Sequence, residues 1–512
     1  MKAHKFFNIM MAVFFCLAIS IPLIAVNKTP GKVSTSENRV LAQFPSFNNE
    51  QGGLNTHFIK EFETWFNDNL GLREKFVKTN TMMQYKLFGE LTKQDTMVGK
   101  EGWLYYVTPE IIKDYQHLNL PTDEQLEQWG KSINQIDDYL KSKDIPFITM
   151  LNLDKKTIYP EYYPDTILKV GNVSRTDLLE EYFTNKTDLD FFTPKNALLE
   201  EKNRTTIYSP NFDNGHWNSY GAFIGYTELM KKVSSYYPDI KVLTWADINT
   251  NAYDRTTNIY DAVTFSEKDI SLSLKNKSTA TQVFGVLDKL NLSTSLMSAS
   301  YQNEDKSLPK VLVLGDSYLY GFVTPYLAES FSEMNFIYTD NIDRIKMLVE
   351  YLDPDMVIYE NVERSFDKTM SILSTSTEFS TFKDYIELPI SQNATTMWID
   401  FLNGAYVEQQ DNINVDKSTN VTSISGWAMD AQAQDVASNI FLKVGDKYYS
   451  GSYGIARNSV SEHFNNPKLL NSGFAFSVPS SELIEAGKFS FVIISKDEKY
   501  QYHSSEYKVI VK

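Results

Sequence analysis

Three residues of this chain combine a nucleophile with a base and an acid to orient it: Ser317, His216 and Asp213. Ser317 closes the triplet Gly315-Asp316-Ser317, directly after the apolar run 311–314. An uninterrupted apolar run is how a buried strand of a parallel sheet reads. A strand ending in a glycine turn and entering a helix sets the next side chain at the sheet's carboxyl edge, where ligands collect in open α/β folds. A serine hydroxyl is unreactive without a base, and the chain has six histidines: His4, His57, His117, His216, His463 and His503. His216 alone follows an aspartate by three residues with a glycine between, in Asp213-Asn214-Gly215-His216, and Trp217 gives its ring an apolar wall. That spacing lets the carboxylate reach Nδ1 and fix the tautomer, leaving Nε2 to accept a hydroxyl proton. The plainer alternatives are Ser317 as a helix cap and Asp213–His216 as an ordinary loop pair.

Other polar residues gather at predicted strand ends and are candidates for substrate or oxyanion contacts. Gly315, Asp316 and Tyr318 flank the serine. Lys155 follows the predicted strand 145–151, Arg344 stands in Asp343-Arg344 at the start of a predicted helix, and Asn361 ends the strand in 354–361 with Arg364 just beyond it. For Arg364 the alternative is a plain ion pair with a nearby carboxylate. No cluster of His or Cys accompanies His216, so a zinc site is not expected, and no cofactor is implied.

The elements that must position these residues follow from periodicity. Residues 122–142 carry Leu126, Trp129, Ile133, Ile136 and Leu140 at helical spacing, and a strand follows at 145–151, so helix and strand alternate as in a parallel sheet. Phe58, Phe62, Trp65, Phe66, Leu70 and Leu72 recur at helical intervals and read as a core-packing stripe. Residues 98–106 read as a turn and an aromatic strand. The polar stretch 250–308 reads as helical or irregular surface insertion. Residues 396–416 read as a linker. Beyond it, short alternating strands at 421–428, 440–444, 447–453, 473–478, 489–494 and 500–511 predict a β-sandwich over 417–512. Trp427 and Tyr453 are candidate glycan contacts there, with core packing the alternative for Trp427.

The chain has 512 residues, enough for several domains. A net charge of −16 argues against a nucleic-acid surface. The one cysteine, Cys16, lies in the N-terminal apolar segment, which excludes disulfides and thiolate metal sites from the rest of the chain. Lys2, His4 and Lys5 precede an uncharged apolar stretch over 6–26, long enough to span a bilayer. Its basic flank would stay in the cytoplasm and place 28–512 outside. The alternative is a cleaved signal peptide, but the apolar core is long and no small-x-small site follows it. The expected layout is an anchor at 1–27, a tether at 28–56, an α/β domain at 57–395, a linker at 396–416 and the sandwich at 417–512.

In its ordered set of short motifs the chain resembles the SGNH-hydrolase-like polysaccharide O-acetyltransferases of the alginate-acetylation type, the DHHW family. The matching pieces are Glu37-Asn38-Arg39 with Phe44-Pro45, residues 62–73, Gly99-Lys100-Glu101-Gly102-Trp103-Leu104-Tyr105, Lys155 with Tyr159-Pro160-Glu161, His216-Trp217-Asn218 with Gly221-Ala222, Gly315-Asp316-Ser317, Asp343-Arg344 and Glu363-Arg364. The resemblance covers about 35–366 and includes the family's chain order, histidine loop before serine. It implies an α/β fold with an SGNH-like parallel sheet flanked by helices, and transfer of acetyl to a cell-surface or secreted polysaccharide outside the cytoplasm. It also implies a multi-pass membrane acyltransferase as the partner supplying acetyl. The family's aspartate stands two residues before the histidine. Asn214 holds that position here, and Asp213 is the assigned acid. Two other readings stand beside this one: a glycan acetylesterase with the same triad, and a non-catalytic glycan-binding or scaffold protein.

Overall fold

The computed structural model describes residues 2–29, 31–34, 39–48, 53–259, 262–290, 292, 297–374, 379, 382–408 and 412–512. Glu37 and Asn38 of the motif cited above lie outside them. The centre is a seven-stranded sheet in the order Asp190–Phe192, Phe147–Asn152, Met356–Val362, Lys310–Gly315, Glu333–Tyr338, Ala299–Asn303, Ala280–Val283. The first five of these run parallel; Ala299–Asn303 is antiparallel to both its neighbours. Their side chains divide between two cores. Ile148, Met150, Val311, Val313, Phe336 and Ile358 face the helix Ser219–Tyr236. Phe147, Leu151, Leu312, Leu314, Ile337 and Val357 face the helices Asp123–Lys141, Ile345–Leu352 and Phe366–Ser374. Burial on both faces is why the strands read as unbroken apolar runs.

The chain after Ser317 is not a helix. Residues 317–323 form successive turns, and helical structure begins only at Thr324–Leu327, continued by the 3-10 turn Ala328–Ser330. The stretch 250–308 also differs from expectation. Ile248–Ile259 and Val263–Leu274 pair over twelve residues as an antiparallel hairpin, and Ala280–Val283 and Ala299–Asn303 join the central sheet. Inward positions on the second hairpin strand alternate as Val263, Phe265, Glu267 and Asp269, so two charges interrupt the apolar half of the period.

The C-terminal unit holds two sheets that share one core. One contains Thr396–Leu402, Val421–Met429 and Gly473–Pro479; the other contains Asn439–Val444 and Lys488–Ile494. Thr396–Leu402 pairs with Val421–Met429, so the expected linker begins as a strand of the sandwich. At the other end, Lys2–Ile24 is one helix, long and apolar enough over Lys5–Ile24 to be a membrane anchor or a signal sequence.

The helix Ser219–Tyr236 is fixed at its start by Asn218, whose side chain accepts from Gly221 N. Gly225 lets that helix close on Trp217: a Cβ there would lie 2.5 Å from the indole Cη2. The indole Nε1 in turn donates to Tyr318 O at 3.0 Å. Gly225→Ala should therefore displace a buried indole and cost about 1–3 kcal/mol. Denaturant unfolding of Gly225→Ala against wild type reads the loss, and unchanged stability would contradict this packing account.

Candidate active site

Two segments a hundred residues apart meet at the carboxyl end of Lys310–Gly315. Ser317 Oγ lies 2.8 Å from His216 Nε2. His216 Nδ1 lies 3.0 Å from Asp213 Oδ2 and 3.1 Å from Oδ1. The Ser317 hydroxyl is thus engaged with the imidazole, and no helix begins at it to be capped. Asp213 Oδ1 also accepts from Gly215 N and His216 N, at 2.7 and 2.8 Å. Burial works to raise the Asp213 carboxyl, but the His216 ring and these two amides hold it far below the usual carboxylate range. An ionised Asp213 facing Nδ1 keeps the proton there and presents Nε2 as the base. Asn214 is turned elsewhere: its Nδ2 donates to Asp95 O and Thr96 Oγ1.

The serine turn is set by buried carboxyls. Asp316 accepts from Tyr318 N and from Val362 N, both at 2.8 Å, tying the turn to the neighbouring strand. Asp316 N donates to Glu360 Oε2, and Asn152 Nδ2 donates to Glu360 Oε1. Burial, then the facing Asp316 carboxyl, push the Glu360 carboxyl well above its ordinary value. Gly315 is required by this crowding: a Cβ would lie 2.8 Å from the Phe336 ring and 3.1 Å from Glu360 Oε2. Tyr318 N is committed to Asp316, whereas Ser317 N–H has no partner among the described residues. It is the amide free to meet an oxyanion.

The histidine loop is clamped from behind. Tyr318 is fully buried and its hydroxyl donates to Gly215 O at 2.9 Å. Leu104 N and Tyr106 N of the strand Leu104–Tyr106 donate to Pro210 O and Asn214 O. Lys155, 1% exposed, donates from Nζ to Leu104 O at 2.8 Å and to Asp213 O. It holds the loop's backbone and does not line the opening. Burial pushes the Lys155 ammonium down to about 7, against the pull of the Asp213 and Glu267 carboxylates.

The long hairpin supplies the other jaw, in residues that nothing in the sequence marked. Glu267 accepts from Ser209 Oγ, Asn211 N and Phe212 N. Ser209 Oγ accepts from Asp213 N at 2.9 Å. Arg255 pairs with Glu267 and Asp269 at 2.9 Å each and stacks over the Phe212 ring at 3.8 Å.

The remaining candidates go to other work. Arg364 pairs with Asp154 and lies 5.4 Å from the ring centroids of Tyr106 and Tyr318, so the ion-pair alternative describes it. Asn361 is buried and donates to Thr369 and Tyr359. Arg344 donates to Leu290 O and lines, with Asp343, Ser452 and Phe476, a cavity of about 1050 Å³ between the α/β domain and the sandwich. Tyr453 is 5% exposed, with its hydroxyl donating to Ala428 O and accepting from Ala437 N. It is a core residue with no face for a sugar. Trp427 is half-buried against Phe464, Met429 and Leu469. Among the described residues no group of three or more His, Cys, Asp or Glu could hold a metal ion.

Beside the serine turn, Tyr320 forms one wall of a groove of about 560 Å³ at the same sheet edge, with Gln282, Phe284 and Ser298 across it. Tyr320 packs on Phe336, the ring that crowds Gly315.

Fold and site together define an α/β protein with a hydrogen-bonded serine–histidine–aspartate array at the sheet's carboxyl edge. No family model matches the chain, and no curated protein matches it. Among solved structures it is similar to Bacillus cereus PatB1 with a sulfonyl adduct, at 17% identity and a TM-score of 0.41, covering 53% of this chain and 94% of that one. It is similar to a DHHW family protein from Eubacterium siraeum, at 14% identity and a TM-score of 0.39, covering 55% and 96%. It is also similar to the O-acetyltransferase domain of Pseudomonas putida AlgJ, at 13% identity and a TM-score of 0.36, covering 55% and 99%.

Two measurements check the clamp. Glu267→Gln removes the charge that Arg255 and three donors share, and should cost about 1–3 kcal/mol. It should also slow modification of Ser317 by a sulfonyl fluoride, whereas Lys268→Gln on the exposed side of the same strand should do neither. Lys155 carries a pH signature. Its folded value of about 7 lies below the unfolded lysine value. The unfolded chain therefore binds the extra proton between the two, and stability rises with pH across that window. The contribution is complete above the unfolded value and is lost as pH falls through about 7. Urea midpoints compared at neutral and alkaline pH should show a shallower rise in Lys155→Met than in wild type.

Proposed function

We propose that the chain is an extracytoplasmic O-acetyltransferase acting on a cell-surface or secreted polysaccharide through Ser317, His216 and Asp213. The observation that carries the reading is the continuous Ser317 Oγ–His216 Nε2 and His216 Nδ1–Asp213 geometry, at 2.8 and 3.0 Å. It is supported by the free Ser317 amide. In this reading Ser317 Oγ adds to the acetyl carbonyl carbon as its proton passes to His216 Nε2. The developing oxyanion accepts from Ser317 N–H. Collapse expels the donor's leaving group, which takes the proton from His216, and acetyl remains on Ser317. A sugar hydroxyl then adds to the acetyl carbon and gives its proton to His216. The second collapse releases the sugar ester and returns the proton to Ser317.

The apolar helix serves as the anchor, with Lys2 and Lys5 on the cytoplasmic side and residues 28–512 outside. The acetyl donor is made inside the cell, so a multi-pass membrane acyltransferase delivers the acetyl group. Ser317→Ala should abolish acetylation of the native polymer without loss of the protein. Asp213→Asn should lower transfer by roughly a thousand- to ten-thousandfold, because an amide favours the wrong imidazole tautomer. Polymer acetate measured in Ser317→Ala cells decides the reading. A fall supports transfer, a rise assigns the array to an esterase that uses water, and no change rules out both.

A further inference from the structure

The segment after the apolar helix buries polar side chains and leaves several large apolar ones exposed. In the helix Phe58–Asn69 the buried residues are Asp68 and Asn69, and in Arg73–Phe88 Thr81 alone is buried. Large apolar residues stand outward among charged ones: Leu54 is 83% exposed, Ile59 81% and Leu87 66%, with Phe62, Phe76 and Met83 also exposed. Ile59 and Phe62 share a face of the first helix, and Phe76, Met83 and Leu87 share a face of the second, by helical spacing. Polar groups are satisfied inward instead. Asp68 accepts from both terminal guanidinium nitrogens of Arg39 and from Ala42 N; Asn69 donates to Ala42 O and Trp65 O. Apolar surface on this scale is costly in water and marks a contact.

The attachment of these helices says what that contact is. The end of Phe58–Asn69 is seated on the end of the N-terminal apolar helix. Asn27 N donates to Asn69 O at 2.8 Å, Asn27 Nδ2 to Asn69 Oδ1 at 2.7 Å, and Gly71 N to Pro22 O at 3.0 Å. Gly71 has no Cβ because one would lie 2.5 Å from Ala25 Cβ. A span ending at Ile24 holds this joint at the outer surface of the bilayer. We propose that the two helices Phe58–Asn69 and Arg73–Phe88 lie on the outer leaflet as a second membrane contact, with Ile59, Phe62 and Leu87 in the boundary between headgroups and acyl chains. Helices with an apolar face and charged flanks lie in that plane; the first helix carries Lys60 with Glu61 and Glu63 exposed, and the second carries Lys75, Lys78 and Lys86 against Glu74, so the cations that would meet the headgroups lie mainly on the second. Phe44, Phe62 and Trp65 form one edge-packed aromatic cluster there, and aromatic rings favour this depth. The inference rests on the anchor reading above. It adds that the α/β domain is held against the membrane by its own surface and not by a free tether.

The chain's single cysteine makes the test direct. In a Cys16→Ser background, Ile59→Cys, Leu87→Cys and, as a solvent control, Lys277→Cys are each nitroxide-labelled in the full-length protein and placed in phosphatidylcholine–phosphatidylglycerol nanodiscs. Collision with oxygen and with a water-soluble nickel chelate is then compared. Labels at 59 and 87 should favour oxygen and the label at 277 the chelate. A water-like label at both 59 and 87 in disc-bound protein overturns the proposal while leaving the anchor intact, and would assign the face to a protein partner. Lipid-free protein whose N-terminus starts beyond the apolar helix overturns both.

Discussion

The carboxylate of Glu267 gathers Ser209 Oγ, Asn211 N and Phe212 N in the buried angle between the hairpin and the α/β domain. The array at Ser317 depends on this. Asp213 and His216 sit on a loop with no regular hydrogen bonding of its own, and such a loop would sample many conformations unless each polar backbone group had a fixed partner. The partners come from four distant places: Glu267 on the hairpin, Leu104–Tyr106 on its short strand, Lys155 after a central strand, and Tyr318 beside the nucleophile. A reacting group misplaced by an ångström loses much of its rate, so precision at Nε2 is a property of these contacts as much as of Asp213.

Charge is buried around the site at a density that only mutual pairing sustains. Lys156 pairs with Asp114 and Glu363, Arg364 with Asp154, and Arg255 with Glu267 and Asp269. Desolvation of such ions offsets most of their attraction, so these pairs add little net stability. What they add is specificity of arrangement, because breaking one leaves a partner stranded. Lys155 lacks a carboxylate at its tip and meets two carbonyls instead. A neutral amine has two N–H groups, one for each carbonyl, and its depressed value follows from that environment.

The parts of this architecture legible in the sequence are those whose signal is local. The strand before Gly315 is apolar throughout because both of its faces are buried, and Asp213-Asn214-Gly215-His216 stands out in a chain with few histidines. The hairpin was illegible because Glu267 and Asp269 occupy inward positions, and their partners lie about fifty residues away or across the hairpin. Lys155 reads as a surface lysine by type alone. The stripe of Phe58, Phe62 and Trp65 reads as core for the same reason. Phe58 and Trp65 are in fact half-buried and Phe62 is exposed, because Asp68 and Asn69 claim the inner face through Arg39, Ala42 and Asn27. Tyr453 fails as a glycan contact because its hydroxyl closes two backbone groups inside the sandwich.

Under the acetyl-transfer reading, the competition that matters at Ser317 is between a sugar hydroxyl and water. The array itself does not exclude water: the side chains of His216 and Asp213 are 23% and 33% exposed. An acetylated serine beside an open histidine would hydrolyse unless the acceptor were held in position, since orientation is worth far more than concentration. Discrimination therefore has to come from surface next to the array and not from the triad. The groove that starts at Tyr320, three residues beyond the nucleophile, offers an aromatic wall, an amide and a hydroxyl along the same sheet edge. Ser298 Oγ there is buried with no hydrogen-bond partner among the described residues, and a buried polar atom in that state is stabilised by a ligand that completes it. The segment from Ala280 to Asn303 carries one acid and one base, Asp288 and Lys289. With no net charge to recognise a charged polymer, it suits an acceptor held by stacking and hydrogen bonds.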